Sequence, residues 1–114
     1  LKLLKDIRKE FETNLFIPGS TEGVNIELEK ALRLNDFITM GELIAYDALN
    51  RNESCGGHFR EEYQTEEGEA KRDDENYFYV SCWEYQGSDD VAPVLYKEPL
   101  VYEAIKVQTR NYKS

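Results

Sequence analysis

The sequence predicts a mainly helical fold in which two helices precede a charged loop and a C-terminal β-hairpin. Apolar residues recur at helical spacing up to Asn50, periodicity stops over residues 53–76, and two runs rich in aromatic and β-branched residues follow. A chain of 114 residues has the length of a single domain. We therefore predict one domain with three segments: a helical-bundle part at 1–52, a charged, glycine-containing loop at 53–76 and a hairpin tail at 77–114.

The first helix is predicted from Leu1 to Thr13, where Leu4, Ile7 and Phe11 continue the helical spacing. The turn at residues 17–20, Ile-Pro-Gly-Ser, ends this pattern because proline and glycine interrupt helices. The chain begins with leucine rather than methionine, so we expect it to be cut from a longer protein.

The second helix is predicted from Glu22 to Asn50, a length of about 40 Å. At 100° per residue, the apolar side chains of its second half point in nearly every direction, which is typical of a helix buried on all sides. One short partner helix does not cover such a surface, so we expect other polypeptide to complete it. The predicted bundle core comprises Leu28, Phe37, Ile38, Leu43 and Ile44.

The tail contains two strand-like runs, Tyr77–Tyr85 and Leu100–Val107, separated by turn-forming residues at 87–90. Pro93 and Pro99 restrict the pairing to short segments. Because a two-stranded ribbon is marginally stable alone, we expect it to lie on the helices.

The net charge of −9 disfavours nucleic acids and anionic membrane surfaces as partners, since both require clustered lysine and arginine. The sequence contains no apolar stretch long enough to cross a bilayer and no secretory leader. Cys55 and Cys82 are too few for a disulfide framework, so we expect reduced thiols in the cytoplasm.

The most informative segment surrounds Cys55-Gly56-Gly57-His58. Its Cys-x-x-His spacing offers two metal ligands, but a structural zinc site needs four. A Cys/His nucleophilic dyad requires a fixed geometry that a Gly-Gly joint does not provide. We favour a structural role in which the glycines cap the preceding helix through positive φ angles. His58 and Arg60 then donate hydrogen bonds across a contact. Further along, the turn Arg72-Asp73-Asp74 is expected to form ion pairs with Arg60 or Arg51.

Residues 48–63 and 72–76 resemble the C-terminal domain of succinate dehydrogenase/fumarate reductase flavoprotein subunits. The usual family form is Glu-Ser-Arg-Gly-x-His-x-Arg-Glu-Asp, followed closely by Arg-Asp-Asp and an aromatic residue. The turn at 17–20, the helix segments at 28–31 and 41–43, and terminal Arg110 and Tyr112 also fit. The matching motif residues are Glu53, Ser54, Gly56, His58, Arg60, Glu61, Arg72, Asp73 and Asp74.

Two features depart from that pattern. Cys55 stands where many relatives have arginine, and residues 64–71 lengthen the loop before Arg72. Both are similar to the branch whose flavoprotein works with a membrane-anchored cytochrome b and quinone.

The resemblance implies a spectrin-like three-helix bundle, truncated here so that its first helix is absent or shortened and a long central helix remains. It implies a parent oxidoreductase that interconverts succinate and fumarate by hydride transfer to covalently attached FAD. Electrons then pass through an iron–sulfur subunit to quinone. The family's flavin-binding, substrate-binding and proton-donating residues lie in earlier domains, so we expect no catalytic, cofactor-binding or metal-binding residue in this chain.

The resemblance also implies partners and a location. The partners are the FAD-binding domain of the same subunit, the iron–sulfur subunit and, indirectly, the membrane cytochrome b subunit, on the cytoplasmic side of the inner membrane. The isolated chain is expected to be inactive and prone to self-association. The residues expected to form an interface or fix turns are Glu53, His58, Arg60, Arg72, Asp73 and Asp74.

Three alternatives stay open from the sequence. Sibling enzymes such as L-aspartate oxidase share the motif in looser form. A free-standing acidic adaptor would bind a partner protein through the Tyr/Trp-rich ribbon. A metalloprotein is the third alternative.

Overall fold

The computed structural model describes residues 1–109 and contains the predicted order of helices, loop and hairpin. Helix α1 spans Lys2–Asn14 and helix α2 spans Ile26–Asn50. A single-turn helix α3 (Asp74–Tyr77) precedes strands β1 (Tyr79–Glu84) and β2 (Val94–Pro99). The mainly helical fold class with a long helix and a C-terminal hairpin is therefore confirmed. The terminal Arg110 and Tyr112 lie outside the described residues.

The chain divides into two compact units, Leu1–Asn50 and a second unit that begins at Arg51. The boundary lies close to the predicted end of the helical segment. That the segments form a single domain stays a prediction.

Helix α2 begins at Ile26 rather than at the predicted Glu22 because Asn25 caps it. The Asn25 Oδ1 atom accepts hydrogen bonds from the backbone N–H groups of Glu27 and Leu28, each at 3.1 Å. These N–H groups have no partner inside the helix, so a side-chain acceptor at this position fixes the helix start.

Helices α1 and α2 pack through a polar clamp centred on the largely buried Arg8 of α1. Its Nη2 atom donates to Glu42 Oε2 at 2.8 Å and to Thr39 Oγ1 at 3.0 Å. Near the clamp, Gly41 faces Leu4, whose Cδ2 would lie 3.7 Å from an added Cβ. A Cβ at this position would make only an ordinary van der Waals contact with Leu4, so the helix approach does not require glycine here.

The predicted bundle core is only partly observed in this chain. Ile38, at 4% exposure, is the one buried apolar side chain among residues 1–109, and Leu43 is half-buried. Leu28, Phe37 and Ile44 are exposed, the last two at 66% and 65%. The reason is geometric: α1 has 13 residues and contacts one side of α2, whereas the apolar residues of α2 surround the helix axis.

Strands β1 and β2 form an antiparallel hairpin whose register pairs Tyr79 with Pro99 and Glu84 with Val94. The predicted second strand, Leu100–Val107, is wrong: β2 lies directly before it and residues 101–109 form no strand. A strand that begins after Pro93 closes a shorter loop, which carries a smaller entropic cost. Pro99 does not prevent this pairing. Tyr79 and Pro99 are a non-hydrogen-bonded pair of the antiparallel ladder, so the missing N–H of proline is not needed there.

Within residues 1–109, neither long helix combines the length and apolar character needed to cross a membrane.

Candidate functional site

The predicted glycine turn is a tight hairpin rather than a helix cap. Cys55 and His58 exchange backbone hydrogen bonds of 2.8 and 3.1 Å. Gly56 has φ +59°, whereas Gly57 is outside the positive-φ region, a combination that fits a type II′ turn. Of the two glycines predicted to have positive φ, only Gly56 has it. The predicted helix-cap role is wrong, because α2 already ends at Asn50.

Ser54 holds the two sides of this turn together from a fully buried position, with 0% exposure. Its Oγ accepts a hydrogen bond from Arg60 N at 2.8 Å and donates to Arg60 O at 3.2 Å. Its own N–H donates to Lys71 O at 2.9 Å, which connects the turn to the far end of the loop.

Glu53 is a buried carboxylate, at 2% exposure, with a different partner for each oxygen. Oε1 accepts from Arg51 Nη1 at 2.7 Å, and Oε2 accepts from the backbone N–H of Asp73 at 2.9 Å. Glu53 therefore joins the two parts of the motif, which are separated by the lengthened segment 64–71.

The Arg51 guanidinium connects Glu53 to the start of the hairpin. Nη1 also donates to Tyr77 O at 3.1 Å, and Nη2 donates to Tyr79 O at 3.2 Å and Ser81 Oγ at 3.4 Å. The guanidinium carbon lies 5.6 Å from the Tyr77 ring centroid and 5.1 Å from that of Tyr79. These distances are within the range of cation–π interactions.

The backbone carbonyl of Arg51 accepts hydrogen bonds from two predicted site residues. His58 Nε2 lies 2.9 Å from this oxygen, so Nε2 carries the hydrogen. Arg60 Nη1 donates to the same oxygen at 3.3 Å and to Asn52 Oδ1 at 2.8 Å. His58 and Arg60 thus donate to a carbonyl, as expected, but that carbonyl belongs to the same unit.

The second part of the motif forms its own ion-paired turn. Arg72 Nε and Nη2 donate to Asp74 Oδ1 at 2.9 and 2.5 Å, and Arg72 Nη1 donates to Gln108 O at 3.2 Å. The hydrogen bonds to Asp74 raise the pKa of the Arg72 guanidinium above its ordinary value. Asp73 caps α3 by accepting from Asn76 N at 3.2 Å. Arg72 therefore binds an acid of its own turn. The sequence had instead led us to expect ion pairs between this turn and Arg60 or Arg51.

The structure brings all six of the predicted residues, with Arg51 and Ser54, into two linked groups. We call the first the Arg51 cluster, defined as Arg51, Glu53, Ser54, His58 and Arg60. The second is the Arg72 turn, residues 72–74, which Glu53 links to the cluster through Asp73 N. The bonds described above fix turns and hold backbone.

Arg51 and Ser54 were missed as site residues. Both lie inside the motif quoted from the sequence, and Arg51 was considered only as an ion-pair partner. The signal that identifies Ser54 is its position beside an acid in a segment without periodicity, where a hydroxyl can satisfy loop backbone.

Among residues 1–109, no group of three or more His, Cys, Asp and Glu side chains is arranged to hold a metal ion. His58 Nε2 is engaged with a carbonyl, and Cys55 and Cys82 are exposed free thiols. The chemistry of the Arg51 cluster is therefore hydrogen bonding and charge pairing.

Comparison with protein families gives a match that covers almost the whole chain. The model of the fumarate reductase flavoprotein C-terminal family matches residues 1–112. No solved structure matches the chain. The match includes both helices, the Arg51 cluster, the Arg72 turn and the hairpin, and the chain belongs to the fumarate reductase flavoprotein C-terminal family.

Proposed function

We propose that this chain is a non-catalytic supporting domain of a succinate dehydrogenase/fumarate reductase flavoprotein subunit. It packs against the FAD-binding domain of the same subunit and helps to form the surface that meets the iron–sulfur subunit. FAD and the dicarboxylate are bound by the other parts of the subunit. The observation that carries the proposal is the long helix α2, whose apolar side chains α1 leaves exposed.

The exposed apolar residues of α2 form a continuous stripe. At 100° per residue, Phe37, Met40 and Ile44 fall within an arc of about 60°, well away from Ile38 on the covered side. All three are more than half exposed. We call this set the α2 stripe. Burying such side chains contributes about 25 cal/mol per Å², so the stripe favours contact with another apolar surface.

The Arg51 cluster supports the second part of the proposal by ordering the loop. Its buried groups are satisfied within the unit, and no buried side-chain N or O atom of the described residues lacks a hydrogen-bond partner. The ordered turn leaves Phe59 exposed. A rigid turn with an exposed aromatic residue is suited to contact another subunit, because little conformational entropy is lost on binding.

The docking test measures binding of the chain to the FAD-binding domain of its subunit by calorimetry. Phe37→Glu and Ile44→Glu place a charge on the α2 stripe, and we expect each to weaken binding at least about tenfold. Val24→Glu, at an exposed position before α2, is the matched control and should bind normally. Equal affinity for all three variants would contradict the proposed docking surface.

The activity test is independent of the docking test. The purified chain is mixed with FAD, succinate and an electron acceptor, and we expect no turnover above background. The FAD-binding domain is then assayed with and without this chain. Equal rates of succinate oxidation in the two assays would show that the chain has no supporting role. Turnover by the isolated chain would contradict the non-catalytic assignment.

A further inference from the structure

The outward edge of β1 follows from its register with β2. Leu100 N donates to Phe78 O at 3.2 Å, which makes Phe78 and Leu100 a hydrogen-bonded pair. Such pairs alternate along an antiparallel ladder, so Val80 bonds to β2 while the backbone groups of Tyr79 and Ser81 face away from it. Tyr79, Ser81 and Trp83 therefore form the edge to which a further strand would add, with Tyr79 and Ser81 in its first half.

Arg51 occupies the first half of this edge. Its guanidinium binds the carbonyl of Tyr79, the first residue of β1, and the carbonyl of Tyr77, the last residue of α3, and it reaches Ser81 Oγ. It also lies over the rings of Tyr77 and Tyr79. The ion pair with Glu53 fixes the guanidinium in this position, since the side chains of Arg51 and Glu53 are only 16% and 3% exposed.

The outward edge of β2 is protected in a different way. Leu95, Lys97 and Pro99 occupy the outward positions, and Pro99 has no N–H to offer. A lysine and a proline on an edge strand are two devices by which proteins prevent edge-to-edge pairing. The edge of β1 has neither residue at Tyr79 or Ser81, so its protection depends on Arg51.

The chain also carries a segment able to use an open edge. Residues 100–107 have the alternating pattern of a strand, yet residues 101–107 are exposed and outside the sheet. Val101, Ile105 and Val107 lie on one side of that pattern and are exposed.

We propose that Arg51 blocks the outward edge of β1 and so prevents residues 100–107 of a second copy of the chain from adding to β1 as a third strand. Arg51 acts by occupying the carbonyl of Tyr79, which the incoming strand would need. This inference does not depend on the proposed function.

The test compares the full chain with Arg51→Met, which keeps the length of the side chain and removes its donors. We expect Arg51→Met to form oligomers with intermolecular β-sheet at an about tenfold lower concentration, the change that loss of one charge-assisted hydrogen bond represents. Amide I infrared spectroscopy and analytical ultracentrifugation measure the two quantities. Arg33→Met removes a guanidinium from an exposed ion pair on α2, away from β1, so it should stay close to wild type.

Two second-site variants test whether the oligomers form by addition of residues 100–107 to the edge of β1. Ser81→Pro removes an outward N–H of β1 without breaking a bond to β2, and Ile105→Pro disables the incoming strand. Each should return Arg51→Met to the wild-type oligomer level. If Arg51→Met does not fold, Arg51→Lys, which cannot span both carbonyls and Glu53, replaces it. A folded Arg51 variant with wild-type oligomer content, or oligomers that persist with both second-site changes, would overturn the proposal.

Discussion

Ser54 shows how a single residue orders the charged loop, because its hydroxyl satisfies both backbone groups of Arg60. Ser54→Ala leaves a buried N–H and a carbonyl without this partner. We expect the free energy of unfolding to fall by about 1–3 kcal/mol. Urea denaturation measures this change. Ser88→Ala removes a bond to Asp90 N in an exposed turn and should stay within about 0.5 kcal/mol of wild type.

Gly56 and Gly57 provide a matched pair for the backbone requirement of the turn. An added Cβ meets no atom within 4 Å at either position, so the surrounding atoms do not distinguish the two sites. Only Gly56 has positive φ, and we expect Gly56→Ala to destabilise the chain by about 1–2 kcal/mol. Gly57→Ala should change the stability by less than about 0.5 kcal/mol. Equal effects in thermal unfolding would contradict the type II′ assignment.

Tyr96 offers a pH-dependent test on the exposed face of the hairpin. Its hydroxyl donates to Glu84 Oε2 at 3.1 Å, and this bond to a carboxylate raises the pKa of Tyr96 above its ordinary value of 10.0. The folded pKa exceeds the unfolded one, so the contribution to stability is present below the unfolded pKa and is lost as the pH rises through the folded pKa.

NMR titration of the Tyr96 ring carbons measures this pKa directly. Glu84→Gln should lower it toward 10.0, since the charge on the acceptor is removed. An unchanged Tyr96 pKa in Glu84→Gln would show that the bond is absent in solution.

The identity of the site residues was more predictable than their roles. The motif located Glu53, His58 and Arg60 because a cluster of charges beside two glycines is unusual for a solvated loop. Their partners depend on distances between segments that no spacing rule supplies. Glu53 binds Asp73 N, twenty residues along the chain, and that contact follows from the tertiary fold.

At the scale of elements, the Arg8–Glu42 clamp fastens α1 to α2. Both side chains are largely buried, at 11% and 17% exposure. Arg8→Met alone leaves the Glu42 carboxylate without its guanidinium and should cost about 2–3 kcal/mol, somewhat less than for a fully enclosed pair. Arg8→Met with Glu42→Leu should recover most of this loss, because an apolar pair of similar volume replaces the ion pair.

A double-mutant cycle measures the coupling between Arg8 and Glu42. Lys30 and Glu27 form an exposed pair on α2 and are the natural comparison. Their coupling should not exceed about 0.5 kcal/mol. If the two couplings are equal, the clamp contributes no more than a surface ion pair.

Elements were predictable where the local signal and the packing agree. The helices follow their apolar periodicity, and the error at the start of α2 arose because Asn25, rather than Glu22, carries the capping side chain. The second strand was placed wrongly because Leu100–Val107 has the better alternation. Loop closure and the tolerance of Pro99 at an outward position favour Val94–Pro99 instead.

The whole molecule combines a strong negative charge with exposed apolar surface, and these act in opposite directions on association. The net charge of −9 repels a second copy, whereas the α2 stripe attracts any apolar partner. At 0.1 M, salt largely screens the repulsion between charges that are more than about 10 Å apart, and it leaves the apolar attraction almost unchanged. The solution behaviour of the chain should therefore depend on ionic strength.

We expect light scattering to show a concentration-dependent rise in mass that becomes steeper as salt increases. Phe37→Ser with Ile44→Ser removes most of the stripe and should lower this association by at least about tenfold, since each buried side chain contributes about 1.5–3 kcal/mol. The same double variant should unfold at nearly the wild-type urea concentration, because both side chains are already exposed in the folded chain. A monomer at every salt concentration would indicate a free-standing adaptor and contradict the supporting-domain proposal. Association that the double variant leaves intact would instead assign it to a surface other than the α2 stripe.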